Sequence, residues 1–253
     1  MLPLPARRPP TRSVAAHLAA PGAYWTFYWA VVTAQLARWL PREPSRVLDM
    51  SGSRARCAQQ AAGAGHQVIE VLTRPAEHPP APGVRQVVAD PGSLSFMADE
   101  SVDAVIAEDR VLSRQLVTEA AVGEIARVLR PGGRLWMCVD SLTLGMAVLA
   151  EQDCWAHLSD VPRAEVVLVP WPDGRITRCF WTDQLRELLT EAGLEVEWIR
   201  PRTVLSPSTV EHVLARNPRA LNRLVRTELA ASASDDSLGV HLLASARKRQ
   251  PDA

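Results

Sequence analysis

Along most of this chain short apolar runs alternate with helix-length segments. The runs are RVLDM (Arg46 to Met50), HQVIEVL (His66 to Leu72), Val84 to Ala89, VDAVIA (Val102 to Ala107) and RLWMCV (Arg134 to Val139). Between them the pattern predicts a helix from Ala55 to Ala64, ended by Gly65, and another from Val117 to Leu129, closed by Pro131, Gly132 and Gly133. A third helix is expected over Asp183 to Ala192, then strands at Leu194 to Ile199 and Leu238 to Ala246. Strands separated by helices of ten or so residues pair in parallel through crossover connections, so the fold class is α/β, a doubly wound, mostly parallel sheet of seven strands. Ligands of such sheets lie at the carboxyl ends of the strands, near the point where strand order reverses. The turn after Asp49 is therefore the first place to seek a site.

Residues 1–12, rich in proline and arginine, read as a disordered tail. Residues 13–43 read as a helical extension or lid, with Trp25, Trp29, Val32, Leu36 and Trp39 or Leu40 on one stripe. Packing on the main domain and closure over a ligand are both compatible with that stripe. Residues 44–247 form the principal domain, with an insertion at 141–180, a helical segment at 206–232 and a tail at 248–253. The chain carries 28 Lys and Arg against 28 Asp and Glu, so neither nucleic acid nor an anionic membrane is an expected partner. Arg216, Arg219, Arg223 and Arg226, at helical spacing, read as a solvated face. The run Ala23 to Leu36 is too short for a membrane span. Four scattered cysteines without a CxxC pair signal neither metal nor disulfides, and a cytoplasmic setting is expected. A homodimer is compatible with these features.

The succession RVLDMSGSRA, AGAGHQVIEVL, VVADPGSLSFMADESVDAVIAE, EIARVLRPGGRLWM and WTDQLRELLTEAGLEVEWI resembles the class I S-adenosylmethionine-dependent methyltransferases, over about Arg46 to Arg200, with LGVHLLASA in the place of the last strand. The resemblance implies their Rossmann-like fold, S-adenosylmethionine as cofactor and a small-molecule acceptor. It places Asp49 at the acidic position that precedes the glycine-rich turn, where Ser51, Ser53 and Ala55 stand at the glycine positions and Gly52 is out of phase. Leu72 stands where the family has the acid that accepts the ribose hydroxyls, and Glu70 and Glu77 are the nearest carboxylates. Asp90 matches the residue that reads the adenine amine, with Pro91 beside it and Leu94 and Phe96 resembling the apolar wall. Asp-Pro-Gly is equally an ordinary turn. Arg54, at the start of a helix, suits either an anionic ligand group or solvent. Two altered positions out of three leave open a second class of function, a methyltransferase-like binding, scaffolding or regulatory subunit. A nucleotide-dependent oxidoreductase is disfavoured, since GxGxxG is missing after the first strand.

Methyl transfer from a sulfonium demands placement of the acceptor and, for a hydroxyl or amine, removal of a proton. Candidates for that work are Glu108 and Asp109, which follow the fourth strand, and His157 in the insertion. Adjacent carboxylates also serve as solvated turns or helix caps, and a lone histidine is commonly a surface residue. Trp155, Trp171, Phe180 and Trp181 make the insertion aromatic, suited to a pocket wall or to packing.

Overall fold

The structure, a computed structural model, describes residues 22–52, 56–77, 79–231 and 239–250. The expected tails at 1–12 and 251–253, the first part of the helical extension, and Ser53, Arg54 and Ala55 lie outside the described residues. So do the end of the 206–232 segment and Leu238.

Strands β1 (Arg46–Asp49), β2 (Gln67–Leu72), β3 (Val84–Val88), β4 (Val102–Ala107) and β5 (Leu129–Ser141) pair in parallel in the order β3-β2-β1-β4-β5. The reversal of strand order falls between β1 and β4, so the β1 turn and the tip of β4 face each other across the switch point. On the far edge of β5 runs β9 (His241–Lys248), antiparallel, and outside it β8 (Leu194–Arg202), antiparallel to β9. This is the doubly wound, mostly parallel α/β sheet that the alternation demands, with nine strands among the described residues where seven are expected.

Helix α1 (Ala23–Trp39) lies on one sheet face with α2 (Cys57–Gly63), α4 (Leu142–Glu151), α7 (Pro207–Arg216) and α8 (Leu221–Ala231), all contributing to one apolar cluster. Helices α3 (Thr118–Val128) and α6 (Thr182–Glu191) cover the other face. In α1 the buried residues are Tyr24, Phe27, Tyr28, Val31, Val32, Leu36 and Trp39. The stripe is rotated from the expected one: Trp25 and Trp29 are half-buried, and the two tyrosines and Phe27 point inward. Tyr28 carries its hydroxyl to buried polar groups, accepting from Arg202 Nη1 at 3.3 Å and meeting Cys138 Sγ at 3.6 Å.

Two elements differ from expectation. The fifth strand starts at Leu129, so Pro131, Gly132 and Gly133 lie within it across a register shift against β4, and do not merely close the helix before it. A Cβ on Gly133 would come within 2.8 Å of the Arg130 carbonyl oxygen, so only glycine permits that backbone approach. The insertion holds, besides α4 and α5 (Trp155–Asp160), a hairpin of β6 (Val167–Pro170) and β7 (Ile176–Phe180). β4 stops opposite Met137, and β7 takes up the pairing at Asp140 and Ser141. Trp171 and Phe180 pack inside, whereas Trp155 and Trp181 face outward.

Candidate functional site

A cleft of about 920 Å³ opens at the carboxyl ends of β1, β2 and β3. Its floor is Met50, Ser51 and Gly52; one wall is Glu70, Leu72 and Gln86, and the other is Asp109, Val111 and Arg114, with Asp90 and Pro91 at the rim. Gly52 has φ of 79° and, among the described residues, nothing lies within 4 Å of an added Cβ, so the turn bends in the left-handed region.

Ser51, which the resemblance puts at a glycine position, does not plug the opening. Its Oγ accepts the Glu108 N–H at 2.9 Å, tying the β1 turn to the β4 tip. Asp49 sits behind this tie, fully buried; its Oδ1 accepts the Ser51 N–H at 2.9 Å, and Oδ2 has no hydrogen-bond partner among the described residues. Burial pushes its carboxyl up to about 7, against the hydrogen bonds from Ser51 and with help from nearby Glu70. Asp49 shapes the turn from behind and does not line the cleft.

Glu70 lines the cleft and its Oε2 accepts from Gln86 Nε2 at 2.8 Å, so a carboxylate stands in the crevice although the strand ends in Leu72. Glu77 is also on the wall. Asp90 is exposed, and its Oδ1 accepts the Gly92 N–H at 2.8 Å, forming the turn that holds it at the rim. Leu94 is placed elsewhere than the cleft: it is fully buried against the apolar cluster under α3, its amide donating to Glu124. Phe96 is exposed and lines no part of the cleft. His157 is exposed on α5, remote from the cleft lining.

Glu108 also departs from expectation. Its carboxylate is fully buried, turned away from the cleft onto the α1 face, where Arg202 Nη1 and Trp136 Nε1 (2.7 Å) donate to it. The adjacent Asp109 does line the cleft and meets Arg114 at 3.4 Å. Asp109 and the next residue, Arg110, both adopt positive φ, 52° and 57°. Two successive non-glycine residues in that region carry strain of order 1–3 kcal/mol each, which the surrounding packing must hold. The result is a split: Asp109 faces the cleft and Arg110 faces the interior, toward Asp140 at 3.6 Å.

That interior holds charge the sequence reading missed. Asp140 at the end of β5, His241 at the start of β9 and Arg202 at the end of β8 are direct cross-strand neighbours, all fully buried. Each is a charged or polar residue at one end of its strand, and that is the one sequence signal that could have exposed them.

Residues 31–137 match the sequence profile described as a methyltransferase domain. Among solved structures, the chain is similar to the Burkholderia thailandensis 1,6-didemethyltoxoflavin-N1-methyltransferase, at 20% identity and a TM-score of 0.57, over 89% of this chain and 81% of that one. It is also similar to S-adenosylmethionine-dependent methyltransferases from Mesorhizobium loti (16% identity, TM-score 0.56, 86% and 98% covered) and Methanosarcina mazei (16%, 0.52, 85% and 98%). The chain thus carries a segment that matches a methyltransferase domain, and its sheet has the Rossmann-like fold of these methyltransferases. Comparison with curated protein sequences returns no match. In a doubly wound sheet, a cleft at the β1/β4 switch point is where the fold places ligands. No helix among the described residues is long and apolar enough to cross a membrane.

Proposed function

We propose that the chain is a methyltransferase that takes a methyl group from S-adenosylmethionine and delivers it to a small-molecule acceptor. The observation that carries this reading is the left-handed turn at Gly52 above a cleft large enough for a nucleoside, with carboxylates on its wall and rim. The residues present fit such a group. Asp90 would accept from the adenine amine, Glu70 with Gln86 would meet the ribose side, and the backbone at Ser51 and Gly52 would approach the amino-acid portion. When bound, the cofactor supplies an already activated methyl group, so this chain's own residues need only hold the acceptor in line, exclude water and receive a proton. The Burkholderia relative, whose structure holds S-adenosylhomocysteine and 1,6-didemethyltoxoflavin, supports a small organic acceptor. The sheet and the elements packed on it, residues 44–247, would form the catalytic domain, in a cytoplasmic setting.

One observation favours a second reading. Leu72 occupies the position of the ribose-binding acid, and a leucine there accepts no hydrogen bond. A chain that had given up the cofactor would serve as a binding or regulatory subunit. Calorimetric titration with S-adenosylhomocysteine separates the two. A micromolar constant is expected of the enzyme, and absence of heat at millimolar ligand would leave the second reading standing.

A further inference from the structure

At the β2 end of the cleft the charge changes sign along the chain. Glu70 is buried and its Oε2 is held by Gln86 at 2.8 Å; Leu72 is buried and apolar; the next two residues on the lining, Thr73 and Arg74, are exposed. In doubly wound sheets an acid beyond the second strand accepts a ribose hydroxyl, whereas an arginine there accommodates a phosphate in its place. Such an acid also works by exclusion, since it repels a phosphate. With Leu72 at the strand end that repulsion is gone, and Arg74, two residues on, replaces it with attraction.

The Arg74 guanidinium is uncommitted in the chain without ligand. It has no hydrogen bond or ion pair among the described residues, although Glu77 lines the cleft three residues later. Three guanidiniums line the cleft, and they are not equivalent. Arg114 is engaged by Asp109 at 3.4 Å, whereas Arg56, likewise unpartnered among the described residues, stands on the β1 side at the N-terminal end of α2. Pro75 follows Arg74, and Pro79 and Pro80 lie in the same loop, so the backbone that presents the guanidinium has little freedom to lose when a ligand arrives.

We infer that the cleft takes adenosine nucleotides that carry a phosphate on the 2′ or 3′ oxygen of the ribose, held there by Arg74 and Thr73, in competition with S-adenosylmethionine. This rests on the reading of the cleft as a nucleoside site and deepens it, since it names a rival ligand and with it a means of regulation. A phosphate monoester carries about 1.5 to 2 negative charges at neutral pH and three acceptor oxygens. The guanidinium fork is able to meet two of those oxygens at once, with the Thr73 hydroxyl as a further donor. A ribose with both hydroxyls free offers the guanidinium no charge, and Leu72 offers those hydroxyls no acceptor. Because Arg74 is exposed, its attraction should weaken as salt rises.

The test is calorimetric titration of the full chain with adenosine, its 2′-, 3′- and 5′-monophosphates, and S-adenosylhomocysteine. The 2′- or the 3′-monophosphate is expected to bind about tenfold or more tighter than adenosine, and the tighter of the two locates the phosphate. Arg74→Gln should bring that nucleotide down to the affinity of adenosine without moving the melting curve, and Arg74→Lys should restore part of the difference. Leu72→Asp should reverse the preference. The 5′-monophosphate is the control: its phosphate takes the place of the amino-acid portion beside the β1 turn, so Arg74→Gln should not alter its affinity. The inference is overturned if neither the 2′- nor the 3′-monophosphate binds better than adenosine, or if the advantage survives Arg74→Gln. It is equally overturned if Arg74→Gln weakens the 5′-monophosphate as much, which is general attraction for anions, or if bound S-adenosylhomocysteine leaves the favoured nucleotide's affinity unchanged. Binding of S-adenosylhomocysteine with no phosphate advantage brings down this inference alone. A nucleotide bound through Arg74 by a chain that does not take S-adenosylhomocysteine brings down the methyltransferase reading and leaves the phosphate site standing.

Discussion

The two sides of the β4 tip handle polar groups in opposite ways. On the β1 to β3 side the cleft is open, its carboxylates Glu70, Glu77 and Asp90 line it, and Ser51 is committed to a backbone amide. On the β5, β9 and β8 side, Glu108, Asp140, His241 and Arg202 are sealed beneath α1 with no exposure at all. An exposed carboxylate changes little when removed, whereas a buried charge couples stability to every partner it has. The substitutions that disable the molecule by unfolding it should thus cluster on the sealed side. Those that touch only ligand affinity should cluster on the open side.

The largest expected effect breaks the sealed pair. Glu108→Ala should cost about 3–5 kcal/mol in a denaturant melt, since Arg202 would be left buried and uncompensated. The double replacement Glu108→Gln with Arg202→Met should recover much of that loss. A single variant as stable as wild type would show that the sealed side is not held by charge.

Next is the pH dependence from Asp49, which lies between the two sides. Its folded pKa of about 7 stands above its ordinary 3.8, so between those values the folded state holds a proton that the unfolded state has released. This contribution to stability is therefore full at low pH and lost as pH rises from about 4 to 7, by on the order of 4 kcal/mol. Asp49→Asn should flatten that part of the profile in denaturation series across the range. Parallel profiles would show that Asp49 ionises normally.

Ser51→Gly sharpens the comparison further. The change creates the glycine that the superfamily pattern favours, yet it should destabilise by roughly 1–3 kcal/mol, because the Glu108 amide loses its acceptor. It should not tighten nucleoside binding. Improved affinity without loss of stability would mean that Ser51 obstructs the cleft.

On the open side Asp90→Ala should leave the melting curve nearly unchanged and weaken S-adenosylhomocysteine binding by about 1–2 kcal/mol in calorimetry. The smallest effect expected is from Leu72→Asp, a gain of about 1 kcal/mol in nucleoside affinity. If Asp90→Ala binds like wild type, Asp90 is no more than the cap of its own turn.

The β1 turn, the parallel pairing of the first strands and the cleft's rim residues were legible in the sequence, because each depends on local chemistry: an apolar run, a turn former, a helix stop. The course of α1 was less so. Its aromatic spacing pointed to Trp25 and Trp29, whereas Tyr24, Phe27 and Tyr28 are the residues buried, and Tyr28 meets Arg202, a residue far along the chain. Glu108 and Leu94 looked like ligand contacts because of where they fall after a strand, but side-chain direction at a strand end is set by what lies across the sheet. Glu108 turned to Arg202, which is 94 residues away.

The amino-acid sequence by itself determined the alternation of strands and helices, and with it the α/β sheet and the location of a cleft at its switch point, since periodicity and turn chemistry act over a few residues. Only the tertiary structure decided that Asp140, His241 and Arg202 form one row. They come from three strands whose register depends on the antiparallel entry of β9 beside β5. Buried charges find their partners through that register, so no local pattern could have announced them.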